Sequence, residues 1–320
     1  MKREPYPSEP RSLRAAVVTG PTGAIGYALC ARLLRAGVRV AAVCRPGTLR
    51  AEELAALPGV FLTECDISAL SRLPEKLPAG ADAFFHLAWE AAGGTGRNDM
   101  DAQVRNIRGT LDACRAAAAL GCSVFVGAGS QAEYGRVNGP LRPDTPCAPE
   151  NGYGMAKLCA GQMSRVECRK LGLAHIWARI LSVYGPHDGE SSMISAVIRQ
   201  LLAGEKPALT AGEQLWDYLY SADAAEALYR MALYGHDGAI YPLGSGEARP
   251  LREYVEKLRN AIDPALPLDF GLLPYGEGQV MRLEADLSAL RRDTGFFPAM
   301  DFSEGIRTTV RWMKGGQAHA

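Results

Sequence analysis

Short apolar runs alternate with helically spaced stretches through the first 180 or so residues. The apolar runs at 15–19, 39–44, 60–64, 83–87, 123–127 and 174–180 predict strands, and the spacing at 26–35 and 102–120 predicts helices. The runs lack a clean period of two, as expected for strands covered on both faces. Their alternation with helices predicts an α/β fold, a doubly wound parallel sheet of the Rossmann type. After Tyr184-Gly185-Pro186 the pattern changes. Residues 192–203, 222–231 and 251–261 read as helices, 216–220 as a short strand, and prolines gather between Pro242 and Pro274. The expected organisation is a sheet domain over residues 12–181, with 217–245 returning to it. A smaller mixed α/β C-terminal lobe takes 182–216 and 246–314, and the ends, 1–11 and 315–320, are expected to be flexible.

Composition excludes several classes. With 35 basic and 35 acidic residues the chain is electrically balanced, which argues against nucleic acid or an anionic membrane as partner. No apolar stretch approaches the length of a membrane span, and the proline-rich start has no apolar core of a signal peptide. Eight cysteines are scattered without a C-x-x-C pair, and the five histidines form no H-E-x-x-H, so neither a disulfide scaffold nor a metal site is expected. These features fit a soluble cytoplasmic protein.

Two motifs carry chemistry. Val17-Val18-Thr19-Gly20-Pro21-Thr22-Gly23-Ala24-Ile25-Gly26 runs from an apolar strand through three glycines into a helical pattern. Such a turn lets backbone approach a pyrophosphate and lets helix pack close on strand. The spacing is Gly-x-x-Gly-x-x-Gly rather than Gly-x-Gly-x-x-Gly. The second motif, Tyr153-Gly-Met-Ala-Lys157, places a phenol and an ammonium on one helical face. A free phenol titrates near ~10. A neighbouring ammonium and a cationic nicotinamide are expected to favour the phenolate and fit Tyr153 for proton transfer. Ser130 completes the set as a hydrogen-bond donor to a substrate oxygen. It is not read as a nucleophile, because no Gly-x-Ser-x-Gly elbow or Ser-His-Asp set accompanies it.

Further landmarks follow in order: Cys65-Asp66-Ile67, His86-Leu87-Ala88, Asn106-x-x-Gly109-Thr110, Gly129-Ser130-x-x-x-Tyr134-Gly135, Arg179-x-x-x-x-Tyr184-Gly185-Pro186 and Ala222-Asp223. With the two motifs they make the chain resemble the extended short-chain dehydrogenases/reductases of the nucleotide-sugar epimerase/dehydratase/reductase family, from about Arg14 to Lys314. The resemblance implies catalysis by Ser130, Tyr153 and Lys157. It implies cofactor contacts from Gly20, Thr22, Gly23, Ala24, Ile25 and Gly26, from Asp66 and Ile67 at the adenine, and from Leu87, Ala88, Asn106, Tyr153 and Lys157. His86 is expected to be a packed, hydrogen-bonded residue. Where NAD-using relatives hold the ribose hydroxyls with an acid, this chain has Cys44 followed by Arg45, which favours NADP(H) with NAD as the alternative.

Two departures narrow the reaction. The Asp-Glu that eliminates water in dehydratases is replaced by Gln131-Ala132, with Glu133 one residue further. Trp216 stands where many epimerases place a phosphate-binding Arg, and Ser182 where an Asn is frequent. Substrate contacts are therefore expected from Gln131, Ser182, Trp216, His187 and Arg282. The leading expectation is an NADPH-dependent reductase of a nucleotide-linked keto-sugar. The alternatives are an NAD-dependent nucleotide-sugar 4-epimerase and, from another class, a non-catalytic dinucleotide sensor. The stripes Val104, Ile107, Leu111, Cys114 and Met155, Leu158, Gln162, Val166 resemble a helical dimer interface, and a homodimer is expected.

Overall fold

The apolar runs of the first half form one parallel sheet in the computed structural model, which describes residues 9–317. Its strands β1 (Ala15–Thr19), β2 (Arg39–Cys44), β3 (Val60–Glu64), β4 (Ala83–His86), β5 (Val124–Ser130) and β6 (Ala174–Ile180) are completed by an edge strand, Ala239–Leu243. Spatial order is edge strand, β6, β5, β4, β1, β2, β3. Successive side chains of a strand feed opposite faces. Val18 and Phe85 pack with Leu29 and Leu33 of α1 (Ala24–Arg35) and with Ala224 and Leu228 of α6 (Ser221–Tyr234). Val17 and Phe84 pack with Ala113 and Ala117 of α3 (Met100–Ala119) and with Cys168 of α4 (Gly152–Leu171). Both neighbours in each strand must therefore be apolar, which explains the missing alternation. This is the doubly wound, Rossmann-type arrangement. The strand order reverses between β1 and β4, and a crevice opens at the carboxyl ends of the strands there.

Beyond β6 a third core gathers Ile194, Val197 and Leu201 of α5 (Met193–Leu202), Tyr254 and Leu258 of α7 (Leu251–Ile262), and Phe302, Ile306 and Val310 of α9 (Phe302–Gln317). Two expectations change. β5 continues past Gly127 to Ser130, because Gly127 and Gly129 leave the volume that the buried Trp177 indole of β6 occupies. The stretch 216–220 is not one strand. Leu215–Trp216 pairs with Arg249–Pro250, while Tyr218–Tyr220 pairs with Ser182–Tyr184. Between them the buried Asp217 carboxylate accepts from the backbone N–H groups of Ser245, Gly246 and Ala285 and from the Ser245 hydroxyl, at 2.6–3.0 Å.

The N-terminal arm is tied down where it meets the domain. Arg11 donates its backbone N–H to Leu233 O (3.0 Å) and its guanidinium to Ala232 O (3.1 Å). α9 runs through residues 315–317. Residues 1–8 and 318–320 lie outside the described residues. Among the described residues no helix is long and apolar enough to cross a membrane.

Asp217 joins the edge-strand loop to the 285 region, so Asp217→Ala leaves the buried Ala285 N–H and the part-buried Ser245 and Gly246 donors without their acceptor, at about 1–3 kcal/mol for the buried one. Its thermal unfolding midpoint is expected to fall by many degrees, with Asp217→Asn intermediate. An unchanged midpoint in calorimetry would contradict this role.

Candidate active site

The glycine turn is built by backbone proximity. Gly20 has φ +68°, and a Cβ there would lie 2.8 Å from the Ala88 nitrogen and 2.9 Å from the Leu87 carbonyl carbon. A Cβ on Gly26 would collide with the Gly20 carbonyl oxygen, so only glycine lets α1 start this close to β1. Gly23 by contrast has open space where its side chain would be. It precedes α1 with no side-chain cap, leaving the first helical N–H groups to an anionic ligand. These features fit a dinucleotide pyrophosphate.

Two cavities flank this turn. One, of about 440 Å³, is lined by Gly20, Thr22, Cys44, Arg45, Asp66, Ile67 and Ala88. The other, of about 430 Å³, runs from Gly23, Ala24, Ile25, Gly26 and Leu87 to Ser130, Tyr153, Lys157 and His187. Gly20 and Trp89 line both. The cleft thus brings together most of the residues expected at a cofactor and all three expected at the chemistry. Among the described residues no cluster of His, Cys, Asp and Glu could hold a metal ion.

α4 is fixed at its start by Asn151, which caps Gly154 N–H (2.9 Å), and by Asn98, which accepts from Gly152 N–H (3.0 Å). This sets Tyr153 and Lys157 in the first turns. The buried Lys157 ammonium donates to Ala128 O (2.7 Å) and lies 3.7 Å over the Trp89 ring, but 5.8 Å from the Tyr153 ring centroid. Burial lowers its pKa to about 7. Burial also raises the Tyr153 phenol above its ordinary value, offset in part by Ser130 and by Arg97. The ammonium expected to favour the phenolate thus lies on the same side of the cleft as the phenol, held at Ala128 O and over the Trp89 ring.

Glu133 is turned away from the cleft. Its carboxylate accepts from Ser130 N–H (2.8 Å), Trp177 Nε1 (2.9 Å) and Arg179 Nε (2.7 Å), all buried. Ser130 in turn caps Ala132 N–H through its hydroxyl (3.2 Å). The carboxylate that follows Gln131-Ala132 thus holds the end of β5 and lines neither cavity.

Other expected site residues take supporting positions. Asn106 is fully buried, with its amide accepting from Glu90 N–H (2.8 Å) and donating to Glu90 O (2.9 Å). It shapes the loop after β4 and lines neither cavity. His86 bridges Thr19 (2.9 Å) and Thr110 (3.3 Å), and burial lowers its pKa to about 3, so it is a neutral packing residue. Asp66 lines the first cavity while its Oδ1 accepts from Ser68 N–H (2.9 Å) and Oγ (2.7 Å).

The residues expected at the substrate separate. Trp216 Nε1 donates to Ser182 Oγ (2.8 Å), and Arg282 bonds Glu284 (2.7 Å) one bridge away from Leu215. Gln131, Ser182, Trp216 and Arg282 line neither cavity. His187 goes the other way. Its ring stacks on Tyr27 of α1 (3.8 Å), and its Nδ1 meets Glu53 (3.0 Å) of α2 (Ala51–Ala55). It is a wall of the glycine-turn side, because the chain passes over α1 there, and not a partner of Trp216. Sequence reasoning missed Trp89, Arg97 and Arg50, whose guanidinium donates to Thr22 O (3.4 Å) and His187 O (3.0 Å). Trp89 directly follows His86-Leu87-Ala88 and could have been found by that position.

Known proteins share this fold. The dTDP-glucose 4,6-dehydratase of Neisseria meningitidis serogroup B is 26% identical over 330 aligned positions, covering 94% of this chain and 93% of that protein. The crystal structure of DesIV, a dTDP-glucose 4,6-dehydratase from Streptomyces venezuelae with NAD and TYD bound, superposes with a TM-score of 0.82 at 23% identity, covering 95% and 98% of the two chains. A UDP-N-acetylglucosamine 4-epimerase from Methanobrevibacter ruminantium, in complex with UDP-N-acetylmuramic acid, gives a TM-score of 0.85 at 22% identity, covering 96% and 100%. The family match itself spans residues 16–244, from β1 and its glycine turn through the Tyr153 helix to the edge strand, and on that extent the chain belongs to the NAD dependent epimerase/dehydratase family.

Proposed function

We propose that the protein is an NADPH-dependent oxidoreductase that reduces the keto group of a nucleotide-linked hexose or 6-deoxyhexose. The observation that carries this reading is the pairing of two facts. Ser130, Tyr153 and Lys157 share a cleft with the glycine turn, while the dehydration positions are Gln131-Ala132 and Glu133 is committed to Arg179. The sugar-nucleotide class is supported by the relatives, named as enzymes of dTDP- and UDP-linked sugars.

Residues 20–26 would hold the pyrophosphate, with Asp66, Ile67 and Ala88 at the adenosine side. When bound, the cofactor supplies the hydride. Tyr153 gives its proton to the carbonyl oxygen, and Ser130 donates a hydrogen bond to the same atom as negative charge develops. Residues 182–216 and 246–314 form the lobe that takes the substrate. Because Trp216 is bonded to Ser182 and Arg282 to Glu284, the diphosphate would be held by other groups or after these pairs open. Arg45 lines the cavity beside the buried Cys44, with no carboxylate at either position, which favours a 2′-phosphate.

A second reading, an NAD-retaining 4-epimerase, is favoured by the likeness to an epimerase at TM-score 0.85. The two differ in cofactor retention through purification and in net NADPH consumption.

The protein is further proposed to be a cytoplasmic homodimer. Val104 (63% exposed), Met155 (51%) and Val166 (50%) leave an apolar patch over α3 and α4. Cys114 does not belong to it: it is buried with its sulfur 3.5 Å from Cys168.

Three outcomes are expected. Tyr153→Phe should lose about 10²–10⁴-fold in turnover with NADPH affinity nearly unchanged. More than half the parental rate would remove Tyr153 from the mechanism. Arg45→Ala should weaken NADPH about 10- to 150-fold and leave NADH almost untouched. A parental protein that already prefers NADH, by the ratio of kcat/KM values, would overturn the cofactor assignment. Light scattering at micromolar concentration should give a dimer mass that Val104→Glu reduces to the monomer. A monomeric parent would refute the interface.

A further inference from the structure

A full positive charge stands at the glycine turn, and the turn's own sequence does not supply it. Arg50 is the last residue before α2. It donates from Nη1 to Thr22 O inside the turn (3.4 Å) and to His187 O across the cleft (3.0 Å). Both bonds leave one nitrogen and end on neutral carbonyls, and among the described residues Arg50 forms no ion pair. A guanidinium keeps its charge throughout the pH range in which proteins fold. It lines the same cavity as Gly20, Gly23, Ala24, Ile25 and Gly26.

The carbonyl that Arg50 reaches is itself held. The buried His187 ring stacks on Tyr27 of α1 (3.8 Å), lies 4.7 Å from the Trp312 ring of α9, and meets Glu53 of α2 through Nδ1 (3.0 Å). The guanidinium is thus tied to the glycine turn on one side and to a contact between the sheet domain and α9 on the other. The first intrahelical bond of α1 runs from Tyr27 N–H to Gly23 O (2.9 Å), so the N–H groups of Ala24, Ile25 and Gly26 precede it. Such a helix start carries about half an elementary charge. A dinucleotide pyrophosphate carries a negative charge on each phosphoryl group, more than the helix start balances. The other cations of the cleft are placed elsewhere: Arg45 lines the neighbouring cavity, and Lys157 is turned to Ala128 O and the Trp89 ring. Asp188, an acid on the same wall, accepts from Ser192 Oγ and Gly189 N–H (both 2.7 Å).

We propose that Arg50 is a cofactor-binding residue that balances the charge of the dinucleotide pyrophosphate at the glycine turn. This rests on the reading that residues 20–26 hold that group. A guanidinium is a planar fork of five donors, so Nη1 can stay on the carbonyls while other N–H groups meet phosphoryl oxygens. The proposal divides the work of two arginines in the loop between β2 and α2. Arg45 answers to a 2′-phosphate and so discriminates between cofactors. Arg50 answers to a group that NADPH and NADH share, and so sets the affinity for both.

The test is calorimetric binding to the full-length protein of NADPH, ADP-ribose and adenosine 2′-monophosphate. ADP-ribose carries the pyrophosphate without the 2′-phosphate, and adenosine 2′-monophosphate the reverse. Arg50→Ala is expected to weaken NADPH and ADP-ribose alike, by about 10- to 150-fold. It should leave adenosine 2′-monophosphate within about threefold of the parent. Arg45→Ala should give the opposite pattern for the two fragments. Arg50→Gln keeps a donor for the Thr22 and His187 carbonyls and removes only the charge. It should lose as much affinity for ADP-ribose as Arg50→Ala, and it replaces that variant should the alanine protein fail to fold. Arg50→Lys, which keeps the charge, should lose less than either. ADP-ribose bound by Arg50→Gln as tightly as by the parent would leave Arg50 a mere tie between loops and overturn the proposal. Equal loss of all three probes would mark a general collapse of the cleft and overturn it too. A parent that binds neither NADPH nor ADP-ribose would instead refute the cofactor reading of the proposed function, a failure seen before any substitution is made.

Discussion

The Glu133 carboxylate, buried at the end of β5, is the interaction on which the site depends. It gathers a main-chain N–H, an indole and a guanidinium in a region that water does not reach. Breaking such a pair by removing one partner typically costs about 3–5 kcal/mol, because the other charge is left buried alone. The arrangement fixes where Ser130 leaves the sheet, and it demands that Gly127 and Gly129 carry no side chain, because Trp177 must lie across β5 to reach the carboxylate. It also takes the acid next to Ser130 out of the cleft. A carboxylate neutralised by Arg179 inside the core is no general base for a sugar in the cleft.

From that fixed strand end the cleft is assembled by loops whose positions are set by buried polar contacts. Thr19 links β1 to β4 through His86 and accepts from the N–H groups of Leu87 and Ala88. Asn106 fastens Glu90, and Trp89 between these anchors donates to Gln103 (3.0 Å). The Trp89 ring is thereby held under the Lys157 ammonium, where a desolvated cation gains most from an aromatic face. The cofactor side is thus cross-linked by buried side-chain contacts. Farther along the chain, Trp216 is bonded to Ser182 and, separately, Arg282 to Glu284.

The central sheet was legible because its strands are short apolar runs cut off by glycines and charges, and β1, β2, β3 and β6 begin and end where the pattern does. The glycine turn and the Tyr153 helix were legible for a similar reason, since each is a local motif whose spacing fixes its geometry. What escaped was tertiary. Gly127 and Gly129 read as a strand ending, and only the Trp177 indole from the next strand explains them. Trp216-Asp217-Tyr218 read as one strand, and only the donors at 245, 246 and 285 show why Asp217 divides it. His187 lines the cleft with Tyr153 as expected of a site residue, but nothing in its own neighbourhood foretells its contacts with Tyr27 and Glu53. Arg97 carried no motif at all.

The central claim is that this cleft performs a net hydride transfer and no dehydration. It is tested most directly by following deuterium from NADPH labelled at its transferable position into a nucleotide-linked 4-keto sugar. The account predicts one deuterium on the former carbonyl carbon of the product, with one NADP⁺ formed for each sugar reduced. Loss of water from a nucleotide-linked hexose, or inversion at that carbon with no net consumption of NADPH, would contradict it.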